Sequence, residues 1–207
     1  MSFINKVLAT PLIWNLSQFV LGGNSNKQQL YRSLFISTGT LLDFGCADGN
    51  TFPAFKDFEY YGVDIDGKFV DYARDKYRNY KNAHWVNADI RNGPFEHNTF
   101  DYVLFAEIGH HIPDDTMHSI LQSLIDVVKR NGRIYLVDHV RRPGRDNWWM
   151  KLLIKFDQGQ FTRTEAKYTE IIGQFHDQVM TVSTSIRKMR GNFFDLPDFY
   201  IAVLEKK

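Results

Sequence analysis

Three features of the sequence predict an α/β fold built on a mostly parallel sheet: strand-length apolar runs with helical patterns between them, a glycine-bearing turn after the first run, and two closing runs joined too tightly for a crossover helix. The runs lie at 40–44, 60–65, 84–87, 100–106 and 133–140, and the closing pair at 178–187 and 199–205. Between them, Phe69, Ala73 and Tyr77 repeat at helical spacing, and Met117, Ile120, Leu121, Leu124 and Val128 form a stripe before Asn131 and Gly132. Parallel neighbours need long connections, and these helices supply them on both faces of the sheet. The closing pair reads as an antiparallel hairpin, so the expectation is a three-layer sandwich with a seven-stranded sheet ending in an antiparallel strand.

The 207 residues suffice for one domain, expected as an N-terminal helical segment 1–38, a core 39–140 and a tail 141–207. Thr10 and Pro11 read as a helix start, followed by an apolar face of Leu12, Ile13, Leu16, Phe19 and Val20 up to Gly22 and Gly23. Such a helix packs on the domain, closes over a substrate pocket or touches a membrane surface; polar residues interrupt it too often for a signal peptide or a stable membrane span. Net charge is +1, which argues against nucleic acid as the partner. Cys46 is the sole cysteine, which excludes an internal disulfide and suits the cytoplasm. Oligomeric state is left open, a homodimer included.

The informative segment is Leu41-Leu42-Asp43-Phe44-Gly45-Cys46-Ala47-Asp48-Gly49-Asn50, a strand that enters a tight turn where backbone can meet a ligand. Asp64 ends the next strand, where a carboxylate can accept both ribose hydroxyls of an adenosine-containing cofactor. A nicotinamide site fits less well, since the G-x-G-x-x-G pattern from Gly45 would need glycines where Ala47 and Asn50 stand. Asp66, just before Gly67, reads as a helix N-cap, and Cys46 as a small buried neighbour of the cofactor.

With LLDFGCADGN, YYGVDID, NADI and FDYVLFAEIGHHIPD in this order, the chain resembles the class I, Rossmann-like methyltransferases of the small-molecule type over roughly 40–140. The resemblance implies S-adenosylmethionine as cofactor. It would set Asp43, Gly45, Cys46, Ala47 and Gly49 around the methionine moiety, Asp64 with the adjoining Ile65 at the ribose, Asp89 and Ile90 beside adenine, and the backbone of Phe105 and Ala106 near the amino-acid end. Ala47 departs from the pattern, standing where the family commonly has a second glycine.

Methyl transfer asks the protein to align an acceptor, exclude water and, where needed, take a proton. His110 and His111, in the loop after the fourth strand, are the candidate general bases, with Glu107 beside them as a substrate contact. Asp138 and His139 are adjacent in a strand, so they point to opposite faces and form no simple dyad. Trp148, Trp149, Phe161 and Arg163 are candidate pocket residues for an apolar or aromatic acceptor. No metal is expected. The leading expectation is a methyltransferase for a small-molecule acceptor; a protein or RNA methyltransferase and a non-catalytic cofactor-binding module are the alternatives.

Overall fold

A computed structural model describes residues 23–145, 160–190 and 195–207. The first helix read from the sequence, Trp148 and Trp149 lie outside the described residues. The described chain runs α1 (Gly23–Leu34), β1 (Thr40–Phe44), β2 (Glu59–Asp64), α2 (Gly67–Lys76), β3 (Ala83–Asn87), β4 (Phe100–Ala106), α3 (Asp114–Val127), β5 (Val128–His139), α4 (Glu165–Gly173), β6 (Val179–Arg190) and β7 (Asp195–Lys206), with short 3-10 turns between several of them.

The seven strands form one sheet in the order β3-β2-β1-β4-β5-β7-β6. The pairs from β3 through β5 are parallel, and β7 is antiparallel to both β5 and β6. β7 alone therefore runs against the others, as the closing hairpin requires. Two boundaries differ from the sequence reading. β5 begins at Val128, because Asn131 takes a left-handed φ of 61° and a register shift between Phe100 and Tyr102 carries the strand past the Asn131-Gly132 break. Gly23, read as part of a helix stop, instead opens α1.

Strand alternation divides the core into two layers. Leu42, Val103, Phe105, Ile134 and Leu136 face α3 and α4, whose Leu121, Leu124, Tyr168 and Ile171 cover them. Leu41, Leu104, Tyr135 and Val137 face the other way, onto Tyr31 and Phe35 at the α1 end and Phe52 and Phe55 of a 3-10 turn. By the same parity Asp138 points into the first layer and His139 into the second.

Helix ends are capped as their sequences suggest. The Asp66 carboxylate accepts from the Lys68 amide at the start of α2, Thr164 does the same for Lys167 in α4, and Asp114 and Asp115 set negative charge at the start of α3, where the helix dipole favours it. Phe35 ties α1 to the sheet, with its ring centroid 4.9 Å from Phe55, 5.4 Å from Tyr102 and 4.1 Å from Tyr135. Replacing this buried ring with alanine opens a cavity under α1, so Phe35→Ala should lose about 3–5 kcal/mol of stability, read as a lower urea midpoint; an unchanged midpoint would mean that α1 is not part of the cooperative core.

Candidate active site

The carboxyl ends of β1, β2, β4 and β5 meet along one edge of the sheet. After β1 the chain turns through three left-handed residues, Gly45 (φ 73°), Ala47 (φ 44°) and Gly49 (φ 73°). The Gly45 and Cys46 amides donate to the Val63 carbonyl at 2.7 and 3.2 Å, and the Ala47 amide donates to Asp64 Oδ2 at 3.0 Å. A Cβ at Gly45 would overlap the end of the Ile108 side chain and would sit on a left-handed backbone, both of which glycine avoids where the loops after β1 and β4 touch. Behind the turn, Asp43 is buried and accepts from the Tyr60 hydroxyl. Burial pushes its carboxyl up to about 7, against the opposing bonds from Tyr60 and Thr51. Cys46 is also buried, and burial pushes its thiol up, away from nucleophilic character.

At the end of β2, Asp64 accepts the Ala47 amide on one oxygen and the Asp66 amide on the other, at 2.9 Å. Burial raises its pKa in spite of these bonds. Ile65 next to it is 74% exposed, an apolar side chain left uncovered beside a carboxylate. After β3, Asp89 caps a 3-10 turn through the Arg91 amide and also holds the Arg91 guanidinium, whose hydrogen bonds keep the carboxyl below its usual range. Ile90 turns its side chain into the core. Phe105 is buried edge-on against Phe44, and Ala106 packs on the opposite layer, both still paired with β5 at Leu136 and Val137.

Glu107 follows β4 in a left-handed conformation, φ 58°. Its carboxylate accepts from Lys27 Nζ and the Tyr31 hydroxyl of α1, while Gln28 of the same helix donates to the Asn50 carbonyl at 2.6 Å. Burial works to raise the Glu107 pKa, but the Lys27 ammonium, His139 and the two hydrogen bonds outweigh it and hold the carboxyl below the usual range. Glu107, read as a substrate contact, is thus engaged by α1, which fastens to the loops after both β1 and β4.

The two candidate histidines separate. His111 is exposed, whereas His110 is buried and its Nδ1 donates to Asp138 Oδ1 at 2.5 Å. Asp138 also accepts from the Tyr168 hydroxyl at 2.9 Å and the His139 amide at 2.8 Å. Burial would raise its pKa, but the facing His110 imidazole, His139 and Tyr168 hold it down. Asp138 and His139 do face opposite layers; the carboxylate's imidazole partner lies instead 28 residues earlier in the chain. Arg163, read as a pocket residue, is buried, and its guanidinium donates to the Gly109 and Ile112 carbonyls at 2.6 Å each and to Asp114 at 2.9 Å. It clamps the histidine turn. Phe161, 36% exposed, adds its amide to the His110 carbonyl at 3.0 Å. Among the described residues no group of three or more His, Cys, Asp or Glu is arranged to hold a metal ion, and no helix is long and apolar enough to cross a membrane.

Two measurements follow from the glycine turn. A left-handed conformation costs an L-residue about 1–2 kcal/mol, so Ala47→Gly should raise the thermal midpoint; a lower midpoint would show that the Ala47 methyl makes a compensating contact. Asp43 holds its proton more tightly folded, at about 7, than at its ordinary 3.8. The folded state therefore binds more protons across that window, and stability should fall as pH rises from 3.8 to 7. Asp43→Asn should flatten this part of the stability–pH curve, and an unchanged slope would assign it to other groups.

The residues present are compatible with S-adenosylmethionine: the turn has no side chain larger than a methyl at its left-handed positions, and the next strand ends in a carboxylate beside an uncovered apolar side chain, Ile65. Residues 41–132 match the family model of a methyltransferase domain. No curated protein matches the sequence. Among solved structures, the fold is similar to that of a SAM-dependent methyltransferase from Aquifex aeolicus, at 17% identity and a TM-score of 0.66, covering 96% of this chain and 95% of that one. It is similar to mitomycin 7-O-methyltransferase at 15% identity and a TM-score of 0.70, covering 99% and 61%. Geranyl diphosphate C-methyltransferase from Streptomyces coelicolor, solved with S-adenosyl-L-homocysteine, aligns at 12% identity and a TM-score of 0.67, covering 88% and 77%. With the ordered motifs, the sheet topology and the glycine turn in place, the match of residues 41–132 to a methyltransferase domain falls on the part of the chain that builds this edge, and the fold is the Rossmann-like one of the class I methyltransferases.

Proposed function

We propose that the protein transfers the methyl group of S-adenosylmethionine to a small-molecule acceptor in the cytoplasm, with His110 as general base. The observation that carries the base assignment is the hydrogen bond from His110 Nδ1 to buried Asp138 at the sheet's carboxyl edge. It fixes the tautomer, so that Nε2 carries the lone pair that takes the acceptor's proton. His111, the other candidate, is exposed, with its ring centroid 4.0 Å from that of His110 and tilted by 47°. A small acceptor is supported by the near-neutral charge and by the mitomycin and geranyl diphosphate substrates named for two structural neighbours.

When bound, the cofactor supplies a methyl carbon activated by its sulfonium. Asp64 would hold the ribose, Ile65 would cover the adenine, and the glycine turn would let the methionine end lie against backbone. Glu107, Lys27 and Tyr31 wall the edge on the α1 side and limit water there. His110 removes the acceptor proton as the new bond forms, the kind of contribution worth about 10²–10⁴ in rate.

Calorimetric titration with S-adenosylmethionine and S-adenosylhomocysteine should give binding that Asp64→Ala abolishes. A metabolite screen with methyl-labelled cofactor should place label in small molecules, with turnover falling at least about a hundredfold in His110→Ala. Label in protein or RNA would replace the acceptor class. Binding without turnover on any acceptor would favour a regulatory module, and full turnover in His110→Ala would remove the base.

A further inference from the structure

We propose that Tyr168, in α4, is a positioning residue for methyl transfer that acts on His110 through Asp138, forming a buried tyrosine–aspartate–histidine relay that spans α4, β5 and the turn after β4. This deepens the assignment of His110 as base and rests on it.

The geometry is built for that purpose from several directions. The Tyr168 hydroxyl donates its one proton to Asp138 Oδ2 at 2.9 Å and lies 3.1 Å from the His139 carbonyl, while Asp138 Oδ1 receives the His110 ring. Each carboxylate oxygen thus has a side-chain donor, so the anion is held in one orientation with its charge divided. The Tyr168 ring is itself fixed, stacked on Tyr200 at 4.8 Å and 5°. Gly109, just before the histidine, brings backbone so close to Asp138 that a Cβ there would overlap Oδ2. Arg163 holds the carbonyls on both sides of the histidine pair, and Phe161 holds that of His110.

The proton inventory is simple. His110 Nδ1 keeps its proton on Asp138, Nε2 receives the acceptor's proton, Asp138 stays a carboxylate, and Tyr168, whose pKa is raised by burial and by that carboxylate, stays protonated. Removing the hydroxyl concentrates charge on Asp138 and makes the His110 imidazolium easier to form. The groups facing the ring are Asp138 and His139 from β5, Tyr168 from α4 and His111 from its own turn, with Arg163 beside the turn.

Nitrogen-15 NMR of histidine-labelled full-length protein tests this without a known acceptor, the His110 signals being assigned by their loss in His110→Ala. Tyr168→Phe, which keeps the stacked ring, should move the His110 titration upward by about half a unit or shift its Nδ1 proton signal. Asp138→Asn should change the neutral tautomer, and both variants should keep wild-type circular dichroism and cofactor affinity. Identical His110 titration and proton signals in wild type and Tyr168→Phe would overturn the relay. Once an acceptor is in hand, Tyr168→Phe should lower kcat several-fold with the acidic limb of its pH profile displaced, and KM little changed. Activity lost in His110→Ala but wholly unaffected in Tyr168→Phe would reject the relay while leaving the base in place; full activity in His110→Ala would reject the base instead.

Discussion

A carboxylate buried at the end of β5 sets the terms for the site. Asp138 is 1% exposed, and an ionised group so placed is tolerated only where hydrogen bonds and opposite charge replace its lost hydration. The His110 ring, the Tyr168 hydroxyl and the His139 amide provide that replacement. Each of them in turn constrains something else: the turn after β4 must lie against β5, α4 must aim a tyrosine back at the sheet, and residue 109 must lack a side chain. The Arg163 clamp belongs to the same arrangement, because a turn that presents a histidine to a buried acid leaves its own carbonyls in need of donors.

On the opposite face, the half-buried acid Glu107 is served by a different element. Glu107 and Asp138 stand at neighbouring strand ends, yet α1 neutralises the first while the histidine turn and α4 serve the second. Register alone would set both on one side, since Ala106 pairs with Val137, but Glu107 has left the strand in a left-handed conformation, φ 58°, and its side chain meets α1 instead. His139, on the Glu107 side, lowers the pKa of both acids, so the two halves of the edge are electrostatically joined across the sheet.

Much of this architecture is written locally and was legible in the sequence. The runs that became β1 and β4, the helix cap at Asp66 and the glycine turn depend on residues within a few positions of one another, where periodicity and turn chemistry speak directly, and Asp64, 17 residues beyond Ala47, stood out because it ends the next strand. The partners of Asp138 and Glu107 were not legible. They lie 28 and 30 residues away in one case and 76 and 80 in the other, and nothing local distinguishes Tyr31 or Tyr168 from other core tyrosines. Parity correctly separated Asp138 from His139 but could not say which imidazole would arrive from elsewhere. The carbonyls that Arg163 satisfies were hidden for a related reason, since they lie 51 and 54 residues away. The early start of β5 was hidden because Asn131-Gly132 signals a break, whereas the strand absorbs it as an irregularity.

The order of the sheet also carries a consequence for assembly. β7 follows β6 in the chain but lies between β5 and β6, so β6 has no place to pair until β7 has been made and inserted. Until then it is an unattached strand, the kind of segment that recruits other chains. Its composition tempers the hazard: Thr181, Ser183, Thr184, Ser185, Arg187 and Lys188 are polar and exposed even in the finished fold, although Met180 and Val182 also stay exposed and Val179 is buried only once the strand docks.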